Sequence, residues 1–466
     1  ILETLRSIGY TLEVAIADIV DNSISAGSTK IDIHFEWEGP DSWITIADNG
    51  SGMSETGIVN AMRPGSHNPL AEREPHDLGR FGLGLKTASF SQCRRLTVIS
   101  RLPGEVPAHW CWSHDHVAAT NRWELIQQLD QPQLFEECQK LPGGTIVLWE
   151  DMDRLTKGTD KDNAKHLANF LKAAASVKQH LSMFFHRFLT PDRLKIDFNG
   201  NPVEPWDPYM HGQPGLQPQA EESMAGGQVL VKGYVLPHIS LLTSANHEKG
   251  GGPGGWNAQQ GFYIYRNERL LVAGSWLGMF KKEEHYKLAR IRLDITNQQD
   301  TDWQIDIKKS VARPPDALRD ELRRIADSVR RLAVEVYRHR GKVLQRSLTQ
   351  TYVPVWQEKV RRGRHFYGIN REHPVVRQAL AGPNTTGLIA LMRILEETVP
   401  IPLIVLNESR EPNAQPVSFD TTEVDLLSVM KLVYNGLLMT MNETEARRQI
   451  LMIEPFNDHP YLLESL

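Results

Sequence analysis

The sequence predicts an α/β (α+β) protein of three parts: an N-terminal α/β domain, a second α+β domain and a mainly helical C-terminal region. Three patterns support this prediction. Helical and strand periodicities alternate up to about residue 101, strand patterns separated by turns fill residues 191–315, and a long arginine-rich amphipathic pattern follows Pro314 and Pro315. We therefore place the domains at residues 1–155, 191–315 and 316–466, with a helical connector at residues 156–190.

Local periodicity predicts the elements of the first domain. Residues 12–25 carry apolar side chains at helical spacing, and Gly27 is suited to end that helix. The polar stretch from Arg63 to Gly79 has no periodicity and predicts a long functional loop. The other predicted elements are a helix at residues 82–91 and strands at residues 31–35, 43–47, 95–101 and 145–149.

The later elements are predicted in the same way. A helix is expected at residues 164–187, and a long helix is expected from Asp316 to about residue 345. The glycines of residues 250–255 predict a mobile loop. The strands predicted between these two helices are residues 194–198, 228–235, 261–266 and 289–295.

Composition excludes several classes of protein. The chain has 466 residues, a net charge of −5 and an ordinary globular composition, so neither a disordered nor a polycationic protein is expected. It has no apolar run of about 18 residues, so no membrane partner is expected. Its three cysteines form no CxxC pair, which excludes a disulfide framework and favours the cytoplasm.

The polar face of the first helix carries Asp18 and Asn22, one helical turn apart. A carboxylate there can orient or deprotonate a water molecule. An amide oxygen one turn later suits Mg²⁺, a hard cation that prefers oxygen ligands. Asp18 is therefore a candidate catalytic base and Asn22 a candidate metal ligand, although both also fit an ordinary solvated helix face.

A second polar segment, residues 48–53, directly follows a predicted strand. Gly50 and Gly52 let the backbone bend beneath a flat ring, and a buried Asp48 can accept a hydrogen bond from an exocyclic amine. Met53 completes the segment as a candidate contact. Alternatively, this segment is an ordinary Asn-Gly turn with no bound ligand.

The third segment is a glycine-rich turn that opens a helix. Bare N–H groups at a helix start bind phosphate, and a lysine adds a nearby positive charge. The spacing is neither that of a Walker P-loop nor that of a Rossmann fingerprint. The candidate cofactor-binding residues of this turn are Gly82, Leu83, Gly84, Leu85 and Lys86.

In this order and spacing, the three segments resemble the motifs of the GHKL (Bergerat-fold) ATPase superfamily. Residues 143–146, Gly-Gly-Thr-Ile, resemble the last motif of that family. The resemblance is closest to the MutL and MORC versions, including MutL/MORC-like ATPases of prokaryotic restriction or defence operons. It implies an α/β sandwich that binds ATP with Mg²⁺, with Asp48 reading the adenine amine, Thr145 supporting Asp48, and residues 63–79 acting as a lid.

The resemblance also implies a transducer-like second domain that returns a lysine to the γ-phosphate. Lys308 and Lys309 stand where this lysine is expected, so both are candidate catalytic residues. The sequence does not choose between them, and a solvated lysine pair at a strand end fits equally well. Residues 261–271 resemble a strand and turn of the same domain.

One residue departs from the family pattern, because the family usually has glutamate where this chain has Asp18. The shorter side chain would stand roughly 1–1.5 Å further from an attacking water. Misplacement by about 1 Å can cost about a hundredfold in rate. Three interpretations are open: the helix lies closer to the γ-phosphate, Asp21 or Glu13 contributes to catalysis, or hydrolysis is slow. We expect Asp18 to act as the base.

The resemblance implies that ATP binding brings two ATPase domains together as a homodimer. The segment from Arg313 to Arg346 contains ten Lys or Arg residues and five acidic residues, and further basic residues follow up to Arg364. This cluster favours an ATP-gated clamp on duplex DNA, with an operon-encoded helicase or nuclease as partner. A solvated helix explains the charges equally well, and a chaperone-like ATPase acting on protein clients is the alternative function.

Overall fold

The structure is a computed structural model, and its description covers residues 6, 9–63, 84–300, 302–304, 312–337, 355–361, 364–382, 385–398, 423–438, 441–453, 456 and 460–466. The chain forms two compact units, Ile1–Tyr337 and Arg338–Leu466. No helix in the described part of the chain is long and apolar enough to cross a membrane.

The first sheet has seven strands in the order β4-β3-β5-β2-β1-β6-β7. Its central strands are largely buried on both faces, whereas the strand at residues 30–36 alternates buried residues with more exposed ones. Ile31, Ile33 and Ile46 belong to the main core. The strands are β1 (Lys30–Glu36), β2 (Trp43–Asp48), β3 (Arg95–Arg101), β4 (Ala108–Ser113), β5 (Gly144–Glu150), β6 (Lys195–Phe198) and β7 (Asn201–Pro202).

Helices cover the main face of this sheet. Ile16 and Val20 of the first helix and Val177 and Leu181 of the last lie in one core with the strand residues. A smaller core, which includes Leu134, covers part of the opposite face. The helices of this domain are α1 (Leu12–Ser25), α2 (Glu55–Met62), α3 (Gly84–Gln92), α4 (His114–Thr120), α5 (Gln133–Lys140), α6 (Asp153–Thr156) and α7 (Ala164–Phe184).

The second sheet has five strands in the order β11-β10-β12-β9-β8. Its elements are β8 (Gln217–Met224), β9 (Val229–Val235), α8 (Ser244–Gly251), β10 (Gly261–Arg266), β11 (Arg269–Ser275), β12 (Ala289–Ile295) and α9 (Asp316–Tyr337). One face packs on α9 through Leu322, Ile325 and Val329. The other face carries buried tyrosines, among them Tyr263 and Tyr265.

The second unit combines one hairpin with helices. The hairpin strands β13 (Trp356–Arg361) and β14 (Arg364–Ile369) pair antiparallel. Leu426, Met430 and Ile450 belong to its core. The helices described in this unit are α10 (Pro374–Leu380), α11 (Thr385–Glu397), α12 (Glu423–Leu438) and α13 (Glu443–Ile450).

The predicted fold class is confirmed: an α/β sheet domain, a second sheet domain and a mainly helical C-terminal region follow one another. The hairpin β13–β14 was not predicted. The glycine-rich loop prediction was wrong at its start, because Gly250 and Gly251 are buried at the end of α8. Gly252 lies against Trp206, where an added Cβ would come within 2.2 Å of the ring.

Three elements lie elsewhere than the predicted domain limits imply. The sequence assigns β6 to the second domain, but β6 pairs in parallel with β1 in the first sheet. The predicted connector helix, α7, packs into the first core. Helix α9 was assigned to the C-terminal region, but it packs on the second sheet. In each case a contact with another element decides the placement, and local periodicity does not reveal such contacts.

Candidate functional site

Helix α1 positions the first set of candidate residues. The side chain of Thr11 caps its N-terminus by accepting a hydrogen bond from the backbone N–H of Val14. The helix buries Ile16, Ile19 and Val20 against the sheet. Packing on that side fixes the rotation of the helix, and with it the direction of the polar residues on the remaining faces.

Asp18 lies beside the glycine-rich turn, as the motif order suggested. Its side chain is buried, and the hydroxyl of Tyr10 donates a 2.9 Å hydrogen bond to Oδ2. A Cβ placed on Gly84 would stand 3.6 Å from the same oxygen. The start of α3 and the carboxylate of Asp18 therefore border one space.

The two alternative bases are engaged elsewhere. Asp21 accepts a 2.8 Å hydrogen bond from Nε of Arg269, which belongs to the second domain. Glu13 accepts a 2.6 Å hydrogen bond from Ser176 on α7. Asp18, in contrast, lies beside Gly84, the first described residue of the glycine-rich turn.

Asp48 ends strand β2 in a buried pocket made by small polar groups. Its Oδ2 accepts a 2.9 Å hydrogen bond from Ser23, and its Oδ1 accepts bonds of 3.1 Å from Ser28 and 2.9 Å from the backbone N–H of Gly50. Burial raises the pKa of the Asp48 carboxyl, and the bonds from Gly50, Ser23 and Ser28 oppose this shift. The arrangement fixes a carboxylate in a place with little solvent.

The glycines beside Asp48 are required by close backbone approach. Gly52 has a φ of +70°, and an added Cβ would stand 1.8 Å from the carbonyl oxygen of Arg101. Gly144, opposite in the sheet, would place a Cβ 2.1 Å from the carbonyl oxygen of Asp48. An added Cβ on Gly50 would meet Ser28 and Ala26 at 2.8–2.9 Å. Each position therefore excludes larger residues.

A serine joins the remaining predicted residues to this pocket. Thr145 lies opposite Asp48 in the β2–β5 pairing. The hydroxyls of Ser100 and Thr145 lie 2.8 Å apart, and Ser100 also accepts a 2.9 Å hydrogen bond from the backbone N–H of Met53. The second and last motifs therefore form one network.

Lys86 is engaged differently from its predicted role. It is buried, and its Nζ donates to the carbonyl oxygens of Ala61 at 3.1 Å and Arg63 at 2.7 Å. These carbonyls end helix α2, so the ammonium group caps that helix. Burial lowers the pKa of the Lys86 ammonium group. Phosphate binding by Lys86 stays a prediction.

Asn22 is exposed, so its amide oxygen is open to a ligand. Within the described residues, no group of three or more His, Cys, Asp or Glu side chains is placed to hold a metal ion. The part of the glycine-rich turn that is described contains Gly84 and half-buried Leu85. The predicted residues that lie outside the described part of the chain are Gly82, Leu83, Lys308, Lys309 and most of the predicted lid.

Sequence reasoning missed several residues of the site: Tyr10, Ser23, Ser28, Ser100 and Gly144. Ser23 carried a signal, because it is a small polar residue on the apolar side of α1 and is 3% exposed. Ser100, likewise buried, lies next to the last residue of strand β3 and directly follows the apolar run Val98–Ile99. Tyr10 carried none, since its hydroxyl contact depends on the path of the chain before α1.

Comparison with known proteins identifies the first domain. Residues 10–145 match the family described as histidine kinase-, DNA gyrase B- and HSP90-like ATPase. The matched range includes Asp18, Asn22 and Asp48. The first domain is therefore an ATPase domain of the GHKL superfamily, and the predicted family and enzyme class are confirmed.

Within this class, the chain resembles MutL. It is 26% identical over 207 residues to the DNA mismatch repair protein MutL of Shewanella loihica. The aligned region covers 40% of this chain and 33% of that protein. It is 37% identical over 95 residues to MutL of Shewanella sediminis, covering 20% of this chain and 15% of that protein. The chain thus spans a third or less of these curated relatives.

A solved structure is also similar. The ATPase and transducer domains of DNA topoisomerase II from Balamuthia mandrillaris share 11% sequence identity with this chain, at a TM-score of 0.39. The similarity covers 69% of this chain and 85% of that one. A likeness of this degree says nothing about substrates or partners.

Proposed function

We propose that the chain binds ATP in the first domain, with the adenine amine on Asp48. The geometry of Asp48 carries this proposal. An ionised carboxylate only accepts hydrogen bonds, so a carboxylate held in a buried pocket selects a donor such as an exocyclic amine. Gly50 and Gly52 let the backbone that follows Asp48 pack closely against Ala26 and Arg101, which fixes the turn beside the carboxylate.

The phosphates would lie at the start of α3, where backbone N–H groups are free of side-chain obstruction at Gly84. Asn22 would supply an amide oxygen to Mg²⁺, which neutralises phosphate charge and takes its other ligands from phosphate oxygens and water. Asp18, held by Tyr10, would orient and deprotonate the attacking water. Because aspartate is short for this task, we expect slow hydrolysis.

We further propose that ATP binding joins two ATPase domains as a homodimer, with residues 63–79 closing over the nucleotide. Either Lys308 or Lys309 would contact the γ-phosphate from the second domain. Separate Lys308→Ala and Lys309→Ala variants would assign this contact, because only the true ligand should reduce turnover strongly. The cytoplasm remains the expected compartment, since Cys93, Cys111 and Cys138 are buried free thiols.

The dimer would act as an ATP-gated clamp on duplex DNA, in a prokaryotic defence, restriction or repair system with a helicase or nuclease partner. The MutL relatives are DNA mismatch repair proteins, which supports a role on DNA. Helix α9 is balanced in charge, with five arginines and five acidic residues, and Arg313 precedes it. The basic excess of the segment 313–364 therefore falls on residues after 337.

The decisive experiment measures ATP turnover with Mg²⁺ for the wild type and Asp18→Asn. Mass in solution is measured in parallel with a non-hydrolysable ATP analogue, with and without duplex DNA. Loss of turnover in the variant, with an analogue-dependent dimer that binds DNA less tightly as salt rises, supports the clamp. An analogue-dependent dimer that ignores DNA but protects an unfolding protein client from aggregation would favour the chaperone alternative.

A further inference from the structure

A buried ion pair joins the nucleotide-site helix to the second domain. Arg269 begins strand β11, and its Nε donates a 2.8 Å hydrogen bond to Oδ1 of Asp21 on α1. The two side chains are only 5% and 1% exposed. The Arg269 guanidinium also donates a 2.6 Å hydrogen bond to the carbonyl oxygen of Leu270, and its carbon lies 4.1 Å from the ring centroid of Phe185.

Such a pair holds its partners in one geometry. Two charges removed from water are tolerated only when they stay in contact, so any separation of the two domains here is costly. The contacts with Leu270 and Phe185 fix the guanidinium from two further sides. Arg269 therefore holds α1 at a defined distance from the second sheet.

The anchor lies close to the proposed chemistry. Asp21 comes three residues after Asp18 and directly before Asn22 on the same helix. A rigid helix transmits a shift at Asp21 to Asp18, which lies within about one turn of it. A displacement of α1 would move the proposed base relative to Gly84.

The same hairpin has a second buried anchor. Arg266 pairs opposite Arg269 in the β10–β11 register. Its guanidinium donates to both carboxylate oxygens of Asp300, at 2.6 and 2.8 Å. The turn between them, Asn267 and Glu268, has positive φ at both residues, which is the tight hairpin turn with matching twist. The hairpin thus joins α1 to the residues that follow β12 as one stiff unit.

We propose that Arg269 is a positioning residue for ATP hydrolysis, acting through Asp21 to hold Asp18 in place. This inference rests on the proposed function. It also makes α1 the route by which the nucleotide state of the first domain reaches the β10–β11 hairpin of the second.

The test compares two variants of matched length. Arg269→Met removes the donor, whereas Arg269→Gln keeps an N–H donor near the position of Nε without the charge. We expect Arg269→Met to lower kcat for ATP roughly ten- to a hundredfold with KM little changed, because ATP still binds but the base is displaced. Arg269→Gln should recover a large part of the lost kcat.

Glu268→Gln is the matched control. Glu268 lies in the turn before Arg269, and the variant removes its exposed ion pair with Arg193. Surface ion pairs of this kind contribute little to stability. Its kcat should equal that of the wild type. Denaturant unfolding of each variant reports the loss of stability separately.

Hydrogen exchange gives a readout that does not need turnover. In the wild type, a non-hydrolysable ATP analogue should change the protection of α1 and of the β10–β11 hairpin together. In Arg269→Met the analogue should still bind by calorimetry, but the change in the hairpin should disappear.

A kcat of Arg269→Met equal to that of the wild type would overturn the proposal. The proposal would also fail if both variants lost the same share of kcat and those losses followed their losses of stability. A wild type that binds no nucleotide would overturn the proposed function itself. That outcome is recognised before any variant is made.

Discussion

The hydroxyl of Tyr10 donates a 2.9 Å hydrogen bond to Oδ2 of Asp18. This contact restrains a short, buried side chain in a helix whose other face is packed against the sheet. The same oxygen lies 3.6 Å from the position of a Cβ on Gly84, so the restrained carboxylate borders the start of α3. On the proposed mechanism, this fixed orientation would let Asp18 act in the place of the glutamate that the resemblance to the family leads us to expect.

Asp18→Asn should bind ATP with nearly wild-type affinity but lose turnover, because the amide cannot accept the proton of the attacking water. We expect a loss of at least about a hundredfold, the lower range for a general base. Tyr10→Phe should retain part of the activity, since it frees the carboxylate without removing it. Steady-state turnover and calorimetric binding measure both variants, and unchanged turnover in Asp18→Asn would remove this residue from the mechanism.

Asp48→Asn should abolish ATP binding while the protein stays folded. The asparagine amide presents an N–H₂ group where the adenine amine needs an acceptor. Burial raises the pKa of Asp48, so the folded protein favours the protonated carboxyl. The stability that this group contributes therefore falls as the pH rises above its ordinary pKa. The variant removes that penalty, but its N–H₂ group replaces one of the oxygens that accept hydrogen bonds from Ser23, Ser28 and Gly50, so we expect a folded protein whose stability at pH 7 is close to that of the wild type.

Calorimetry and thermal unfolding test this prediction, with Asp32→Asn as the control. Asp32 lies on β1 of the same sheet and pairs with Lys30 near the surface. Its variant should bind ATP normally. Tight ATP binding by Asp48→Asn would contradict the assignment of the adenine pocket.

Local sequence predicted the elements whose signals are local. Helix α1 has both its apolar period and its capping residues within 16 residues, and the prediction of Leu12–Ser25 is confirmed at both ends. Strand β8 was missed, because residues 217–224 are mainly polar and exposed and show no alternation. The placement of β6 was missed because its partner β1 lies more than 150 residues earlier.

The residues of the candidate site likewise fall into those that the local sequence predicts and those that only the fold brings together. The motif residues Asp48, Gly50 and Gly52 could be read from the chain, because their spacing requires a tight turn after a strand. The donors to Asp48 come from a helix and a loop that only the fold brings near. For Lys86, the position in the motif predicts phosphate binding, and the fold adds that its buried ammonium group donates to two backbone carbonyl oxygens.

Gly52→Ala should unfold or strongly destabilise the first domain. The backbone has positive φ there, and the added carbon would overlap the carbonyl oxygen of Arg101. We expect a loss of about 2–5 kcal/mol in the free energy of unfolding. Gly104→Ala is the matched control, because Gly104 also has positive φ (+82°) but nothing within 4 Å.

The control should lose only about 1–2 kcal/mol, the cost of the left-handed backbone alone. Denaturant unfolding measures both variants. Equal losses would mean that the chain relaxes around the new carbon, and the tight approach of the second motif to β3 would not be required.

Glu150 should make stability depend on pH near neutrality. It lies at the end of β5, and burial raises its pKa to about 7, although Arg95 lies 3.3 Å away and opposes the shift. In the unfolded chain the group titrates near its ordinary value of 4.5. The folded protein therefore binds the extra proton between about pH 4.5 and 7, and its stability falls as pH rises through that window.

Glu150→Gln mimics the protonated side chain and removes the titration. Its unfolding midpoint should match that of the wild type at pH 4, below the pKa of the unfolded chain, and exceed it at pH 8. Glu136→Gln, on the exposed face of α5, is the control and should follow the wild type at both pH values. A wild type whose stability is flat between pH 5 and pH 8, or a Glu150→Gln variant that is weaker at pH 8, would show that Arg95 holds this carboxylate ionised in the fold.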